Sequence, residues 1–333
     1  MAAPMIPPVQ APDFLAANGW GGADIRPLAG DASFRRYFRV HRGPETAVLM
    51  DAPPSHEDIG PFLKVAEHLL ERGFAPPRPL AVDREQGLLL LEDFGDDRVA
   101  PLLKREPARE REIYGEAVDI AVRLASEAAP ADLPPYDGAA LAREVRLFTD
   151  WYAPALDLQV DEDGFQAAWD ASWSMVLDET ARAPVLVLRD YHADNLMVVP
   201  HLGQLGLLDF QDALAGHRAY DLVSLLQDAR RDVAPELEEA MLERFVAGAG
   251  IGDAAAFRAD YEVLGAQRNV KILGIFTRLW KRDGKPSYPA MHPRIWRYLE
   301  RNLAHPALEP LRAWFDANIP PAARGDAVAR RAQ

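Results

Sequence analysis

Two short apolar segments, each carrying acidic or amide side chains, constrain the fold of this chain more than any other feature. The first, PVLVLRDYHADNLMVV, spans residues 184–199 and places a polar cluster between two strand-like apolar runs. The second, LGLLDF, delivers Asp209 at the end of another short apolar run. Pairing of these runs as strands would place Asn195 and Asp209 side by side.

The side chains in these segments suit phosphoryl transfer. An amide oxygen and a carboxylate are hard ligands for Mg²⁺, which keeps its other positions for water and phosphate oxygens. Asp190 precedes Asn195 in the same loop and is placed to accept the proton of an attacking hydroxyl. The plainer alternative, that these polar residues only end strands and satisfy turn amides, explains single positions better than the ordered set.

Composition excludes several classes of function. The 333 residues carry 51 acidic and 37 basic side chains, a formal charge of -14, so nucleic acid is not expected as a partner. Cysteine is absent, which removes disulfides and thiolate chemistry. We find no signal-peptide pattern and no apolar run long enough for a membrane helix. We therefore expect a monomeric cytoplasmic protein without a membrane partner.

Periodicity divides the chain in two. Residues 24–92 read as short strands with one helix, which starts near Gly60-Pro61 and stops at Gly73. From about residue 106 onward the pattern is mainly helical. We assign residues 1–93 to a sheet domain with a disordered N-terminal tail, and residues 94–333 to a helical domain holding the catalytic loop, the metal loop and the substrate site. The Pro/Ala-rich C-terminal end also reads as a mobile tail.

The spacing R-D-x-x-x-x-N followed by D-F resembles the catalytic loop and metal-binding aspartate of protein kinases, and more closely the aminoglycoside phosphotransferase and choline kinase group. That resemblance implies an α+β, protein-kinase-like fold with a small antiparallel-sheet N-lobe and a larger, mainly helical C-lobe. It also implies ATP and Mg²⁺ as cofactors. By the same resemblance, Asp190 is the catalytic base, Asn195 and Asp209 hold the metal, and Asp221 braces the catalytic loop.

Four further segments resemble the bacterial anomeric sugar kinases of cell-wall recycling. They are GDASFRRYFRV, VLMDAPP, LRDYHADNL and QRNVKILGIFTRLWKRDGK. Members of that family use ATP to phosphorylate N-acetylmuramate and N-acetylglucosamine on the C1 hydroxyl, on the way to UDP-sugars. The resemblance therefore implies an amino sugar as the substrate.

Two positions depart from the broader kinase pattern. Met50 stands where a kinase normally has a phosphate-binding lysine, and Leu188 stands where a histidine is common. We expect Arg35 or Arg36 to take over the phosphate contact. Loop support would then come from His192 or Asp221, although His192 also fits an ordinary buried histidine.

The remaining candidates are residues that could contact the nucleotide or the substrate. Gly30 and Ser33 could let backbone N–H groups approach phosphates, although the segment also reads as an ordinary turn. The connection at Glu92, Asp93 and Phe94 is a candidate for binding adenine. Candidates for substrate contact or loop support are Asp194, Gln211, Arg230 and Arg231, and the arginine pair suits a substrate carboxylate.

Two alternatives remain open. The first is a kinase of the same fold that acts on another hydroxyl, such as an aminoglycoside, choline or homoserine. The second is a pseudokinase that binds ligands without catalysis, as Met50 and Leu188 suggest. The presence of Asp190, Asn195 and Asp209 together favours an active enzyme.

Overall fold

The computed structural model describes residues 5–28 and 34–332, which form two compact units. One unit comprises Met1–Arg105 together with Asp194–Asp212, and the other comprises Glu106–Ala193 together with Ala213–Gln333. We call them the sheet unit and the helical unit. The boundary predicted at residue 93 therefore lies too early, because helix α3 at Val99–Arg105 also belongs to the sheet unit.

The strands are β1 Asp24–Pro27, β2 Arg36–Arg42, β3 Glu45–Asp51, β4 Pro79–Asp83, β5 Leu88–Glu92, β6 Val185–Val187, β7 Leu196–Met197, β8 Gly206–Leu207 and β9 Leu214–Gly216. The helices are α1 Ala11–Ala17, α2 Gly60–Glu71, α3 Val99–Arg105, α4 Glu110–Ala125, α5 Gly138–Leu147, α6 Ala153–Ala155, α7 Glu162–Ser172, α8 Ser174–Arg182, α9 Tyr220–Leu226, α10 Pro235–Gly248, α11 Ala254–Lys281, α12 His292–Leu303, α13 Glu309–Asn318 and α14 Ala327–Ala332.

An antiparallel sheet of order β1-β2-β3-β5-β4 forms the sheet unit's framework. Alternate side chains of β2 and β3, including Phe38, Val40 and Leu49, enter one core cluster. Helix α2 starts with proline in its first turn and buries an apolar stripe that includes Phe62 and Val65. The predicted sheet and its single internal helix are confirmed.

A small hairpin from later in the chain completes the sheet unit. Strands β7 and β8 pair antiparallel, with Leu196 opposite Leu207. The N–H of Leu207 donates to the carbonyl of Ala75 over 2.8 Å, and Met197 packs against Phe94 in a shared apolar cluster. These contacts explain why the hairpin belongs to the sheet unit, although the residues that precede it in sequence belong to the helical unit.

The 28-residue helix α11 runs through the helical unit and contacts α5, α9 and α12. Its residues from Phe257 to Thr277 are buried on most sides, which is why its sequence shows little amphipathic contrast. At Gly274 the backbone of Leu147 on α5 comes so close that a side chain would overlap it. The two helices therefore pack backbone to backbone at this point.

The described ends of the chain make contacts with the rest of the protein, whereas the sequence predicts mobile tails. In the N-terminal segment, Ala11 is buried and the carbonyl of Ile6 accepts a hydrogen bond from Arg36. At the C-terminal end, α14 buries Val328, and the carbonyl of Ala323 accepts from Tyr152. Single buried residues such as Ala11 and Val328 anchor these segments, while Ile6 and Val9 remain exposed. Among the described residues, no helix combines the length and apolar character that crossing a membrane requires.

Candidate active site

The loop that carries Asp190 leaves β6 through a sharp turn. Arg189 has φ +70°, a left-handed conformation uncommon outside glycine. The Asp190 N–H donates to the carbonyl of Leu188 over 2.9 Å, and the Asp190 carbonyl accepts from the N–H of His192 over 3.1 Å. Strained backbone of this kind persists where surrounding contacts hold it, and it concentrates at functional sites.

Asp221 supplies those contacts from the start of α9. Its two carboxylate oxygens accept from the N–H groups of Leu188 at 2.7 Å and Arg189 at 2.9 Å, and Ser224 Oγ donates to the carbonyl of Arg189. Burial raises the pKa of Asp221 to about 7 despite these bonds. The structure therefore brings Asp221 to the back of the loop, as the resemblance implies. The side chain of Leu188 is buried and contributes apolar packing.

The carboxylate of Asp190 lies in a positive field. Burial acts to raise the pKa of Asp190, but neighbouring basic groups, led by Lys271, lower it below the ordinary value. Arg268 and Arg189 act in the same direction. Asp190 is therefore ionised at neutral pH, the state that a proton acceptor requires.

Glu144 organises the basic side chains near Asp190. It pairs with Lys271 at 2.9 Å and with Arg189 at 2.6 Å, and it accepts hydrogen bonds from Tyr136 and Gln267. Burial alone would raise the pKa of Glu144, but the two cations, led by Lys271, lower it. Sequence reasoning missed Glu144, because a glutamate in the ordinary amphipathic helix α5 carries no signal of its partners.

His192 is buried two residues after Asp190 and contacts Arg230. Nη1 of Arg230 lies 3.1 Å from Nε2 of His192. Because arginine only donates hydrogen bonds, Nε2 must be the acceptor, and the proton of the neutral ring sits on Nδ1. Burial, together with the charge of Arg230, lowers the pKa of His192 to about 3, so the ring is neutral at neutral pH.

Asn195 and Asp209 lie side by side, as strand pairing predicts. Asn195 Nδ2 and Asp209 Oδ2 are 3.4 Å apart, and the N–H of Leu208 donates to the Asn195 carbonyl. Asp209 has φ +58°, a second left-handed residue outside glycine. Gln211 Nε2 donates to Asp209 Oδ1 over 2.9 Å. The contact between them is made by the amide nitrogen, and the amide oxygen of Asn195 and the carboxylate of Asp209 are both donors of the type that suits Mg²⁺.

The structure separates the two arginines proposed for the phosphate contact. Arg35 is buried, and its Nη2 lies 3.6 Å from Asp209 Oδ1. Arg36 instead pairs with Asp51, the last residue of β3. Met50 is buried within the same strand. Arg35 thus lies beside a candidate metal ligand, whereas Arg36 makes an ion pair within the sheet. Gly30 and Ser33 lie outside the described residues.

The three residues proposed for adenine binding have internal side-chain partners. Glu92 pairs with Arg78, Asp93 pairs with Arg39, and the ring of Phe94 packs in the cluster with Met197. A nucleotide contact at this connection would therefore involve backbone groups rather than these side chains.

The other candidates for substrate contact or loop support differ in whether their side chains have partners within the protein. The guanidinium of Arg231 is held by Glu110 of α4, so the structure does not bring it to Asp190. The carboxylate of Asp194 makes no hydrogen bond or ion pair within the described part of the chain. Arg230 is the member of the arginine pair that the structure places beside the catalytic loop.

A second cluster of potential ligands, remote in sequence from this loop, joins Glu179, His217 and Asp260. His217 Nε2 lies 3.5 Å from Glu179 and 3.6 Å from Asp260. The backbone N–H of Ala219, however, donates to His217 Nδ1, so the proton of the neutral ring is on Nε2 and faces the carboxylates. A histidine that binds a metal usually donates through its other nitrogen, and this cluster is better explained as a tie between helices.

The fold agrees with comparison to known proteins. The model of the phosphotransferase enzyme family matches residues 24–262. The chain therefore belongs to the phosphotransferase enzyme family.

Comparison with individual proteins identifies more specific relatives than the family does. The chain is 39% identical to an N-acetylmuramate/N-acetylglucosamine kinase of Caulobacter vibrioides, covering 92% of this chain and 95% of the relative. It is 40% identical to a protein of the same name from Pseudomonas aeruginosa, covering 88% of each.

Solved structures show the same fold at low identity. A choline/ethanolamine kinase family protein from Mesorhizobium loti superposes with a TM-score of 0.62 at 16% identity, over 91% of this chain and 98% of that one. A choline kinase from Cryptosporidium parvum gives a TM-score of 0.60 at 12% identity, over 88% and 93% of the two chains. The predicted kinase-like fold class is confirmed.

Proposed function

We propose that this protein is an ATP-dependent kinase that phosphorylates the anomeric C1 hydroxyl of N-acetylmuramate and N-acetylglucosamine. Relatives that match nearly the whole chain carry that kinase name. The reaction would return cell-wall amino sugars toward UDP-sugars. Because ATP is the donor, we expect the reaction to take place in the cytoplasm, and we expect the enzyme to work as a monomer.

The observation that carries this proposal is the position of Asp190 on a loop that Asp221 braces, among basic groups that lower its pKa. We assign Asp190 as the base that accepts the proton of the C1 hydroxyl. An anomeric hydroxyl is more acidic than an ordinary alcohol, so a carboxylate with a lowered pKa remains strong enough for the task.

Asn195 and Asp209 are the residues we assign to Mg²⁺, because their side chains are adjacent and each carries an oxygen of the type that this ion prefers. When bound, Mg²⁺ offsets negative charge on the phosphate oxygens. Arg35, next to Asp209, would add a fixed positive charge for the phosphates in place of the lysine that Met50 replaces. Gln211 would hold the Asp209 carboxylate in its orientation through the bond to Oδ1.

The test is ADP release by the purified protein with ATP and Mg²⁺, comparing N-acetylmuramate, N-acetylglucosamine, choline and kanamycin. We expect turnover with the two sugars and none with their C1-blocked methyl glycosides. Asp190→Asn should lower kcat by about 100-fold or more, within the usual contribution of a general base. A thermal melt of the variant controls for its folding.

Other outcomes would redirect the assignment. Turnover with choline or kanamycin alone would support a kinase but contradict the assignment of the sugars as substrates. Binding of ATP without turnover on any acceptor would indicate the pseudokinase alternative. Size-exclusion chromatography with light scattering would contradict the monomer if the mass were twice that of the chain.

A further inference from the structure

Arg230 differs from the basic residues around it in having no acidic partner in the described part of the chain. Within residues 5–28 and 34–332, its side chain makes no ion pair, and its Nη1 contacts the neutral ring of His192. The adjacent Arg231 is held by Glu110, and Arg294 of α12 is held by Asp232. Arg230 is also exposed to solvent, so a soluble anion can reach it.

The backbone that carries Arg230 is fixed on both sides. The Arg230 N–H donates to Oδ1 of the buried Asp228 over 2.8 Å. Arg294 Nη1 donates to the carbonyl of Ala229, also over 2.8 Å. A guanidinium held by a fixed backbone loses less conformational freedom when it binds a ligand, so the position is preorganised for recognition.

His192 connects this guanidinium to the catalytic loop. Its Nε2 faces Arg230, and its Nδ1, which must carry the proton, is buried without a hydrogen-bond partner among the described residues. Arginine and this histidine tautomer therefore both offer N–H groups near Asp190. The exposed guanidinium of Arg230 can bind a ligand that brings oxygen acceptors, whereas Nδ1 of His192 is buried.

The two sugars of the proposed reaction differ in the group that such donors would recognise. Both carry the C1 hydroxyl and an acetamido group, but only N-acetylmuramate has a lactyl ether on C3, which ends in a carboxylate. A planar carboxylate matches the two parallel N–H groups of a guanidinium. N-acetylglucosamine offers only a neutral hydroxyl at the same ring position.

We propose that Arg230 binds the lactyl carboxylate of N-acetylmuramate and so sets the preference of the enzyme for this sugar over N-acetylglucosamine. The inference rests on the proposed function, because it assigns a role within the substrate site of that reaction. It separates Arg230 from Arg231, whose identical side chain is occupied by Glu110.

The test measures kcat/KM of Arg230→Gln with N-acetylmuramate, its methyl ester and N-acetylglucosamine. The ratio of kcat/KM for N-acetylmuramate to kcat/KM for N-acetylglucosamine should fall about 10- to 100-fold. This is the range set by a hydrogen bond to a charged group. The ratio of the ester to N-acetylglucosamine should change little, because the ester has no charge to lose. Arg230→Lys should restore part of the first ratio.

Arg231→Gln is the matched control, and the ratio of the two sugars should stay at the wild-type value. An equal loss of kcat/KM on both sugars in Arg230→Gln would overturn the inference, because it would indicate a role toward the phosphates or the fold. An unchanged ratio in an active Arg230→Gln would overturn it as well. If the wild type turned over neither sugar, the proposed function would be contradicted, and this inference with it.

Discussion

Basic side chains surround Asp190 and decide its protonation state. Lys271 contributes most to the lowering of its pKa, and Arg268 and Arg189 add to it. Only Arg189 is adjacent to Asp190 in sequence; the other two come from α11. The charge of the proposed base is therefore a property of packing, which explains why the loop motif alone does not reveal it.

Removal of Lys271 should move the acid side of the pH profile. In Lys271→Met, the pKa of Asp190 should rise because its largest favourable charge interaction is gone, so the carboxylate protonates at a higher pH. The midpoint of the acid limb of kcat/KM against pH should shift upward. Lys281→Met, on the same helix but exposed above Trp280, is the control and should leave the midpoint unchanged. A lower plateau with the same midpoint in Lys271→Met would contradict the electrostatic role.

At the scale of elements, the sequence predicts what depends on short-range pattern. The pairing of β7 with β8 follows from two apolar runs, and it brings Asn195 to Asp209. The bracing position of Asp221 follows from the resemblance of its helix. The contacts of Glu144 with Lys271 could not be predicted, because α5 and α11 lie far apart in sequence and neither pattern specifies their register.

The close approach of α11 to α5 should make Gly274 intolerant of any side chain. A Cβ at this position would overlap the carbonyl group of Leu147, which is backbone and cannot rotate away. Gly274→Ala should lower the free energy of unfolding by about 3 kcal/mol, at the upper end of overpacking costs.

Urea denaturation would measure this change. Gly252→Ala is the control, because the space around Gly252 is open and the expected change lies within about 0.5 kcal/mol. Gly274→Ala should also lower activity, because it moves Lys271 relative to Glu144. A variant as stable as the wild type would show that the helices separate easily.

At the scale of the whole molecule, a buried histidine links stability to pH. Neither ring nitrogen of His292 has a hydrogen-bond partner among the described residues, and burial lowers its pKa to about 3. In the unfolded chain, the histidine pKa is about 6.5. Between these values the unfolded state binds a proton that the folded state excludes, so folding stability falls as the pH drops below about 6.5.

Replacement of His292 by methionine should remove this penalty. Relative to the wild type, His292→Met should gain about 2 kcal/mol at pH 5 compared with pH 8, since 1.5 pH units below the unfolded pKa correspond to that free energy. Thermal or urea unfolding at both pH values measures the difference. An equal difference between variant and wild type at the two pH values would show that His292 does not titrate on unfolding.

The sheet unit is assembled from two separate stretches of the chain, and this limits how the gene can be divided. A product ending at Arg105 would leave the Ala75 carbonyl without the N–H of Leu207, and the ring of Phe62 without that of Phe210. Recombination with a gene for one of the relatives through a single crossover between codons 105 and 194 would therefore join a sheet from one parent to a hairpin from the other. An exchange that transfers the sheet unit without the helical unit needs a crossover after codon 105 and further crossovers on both sides of codons 194–212.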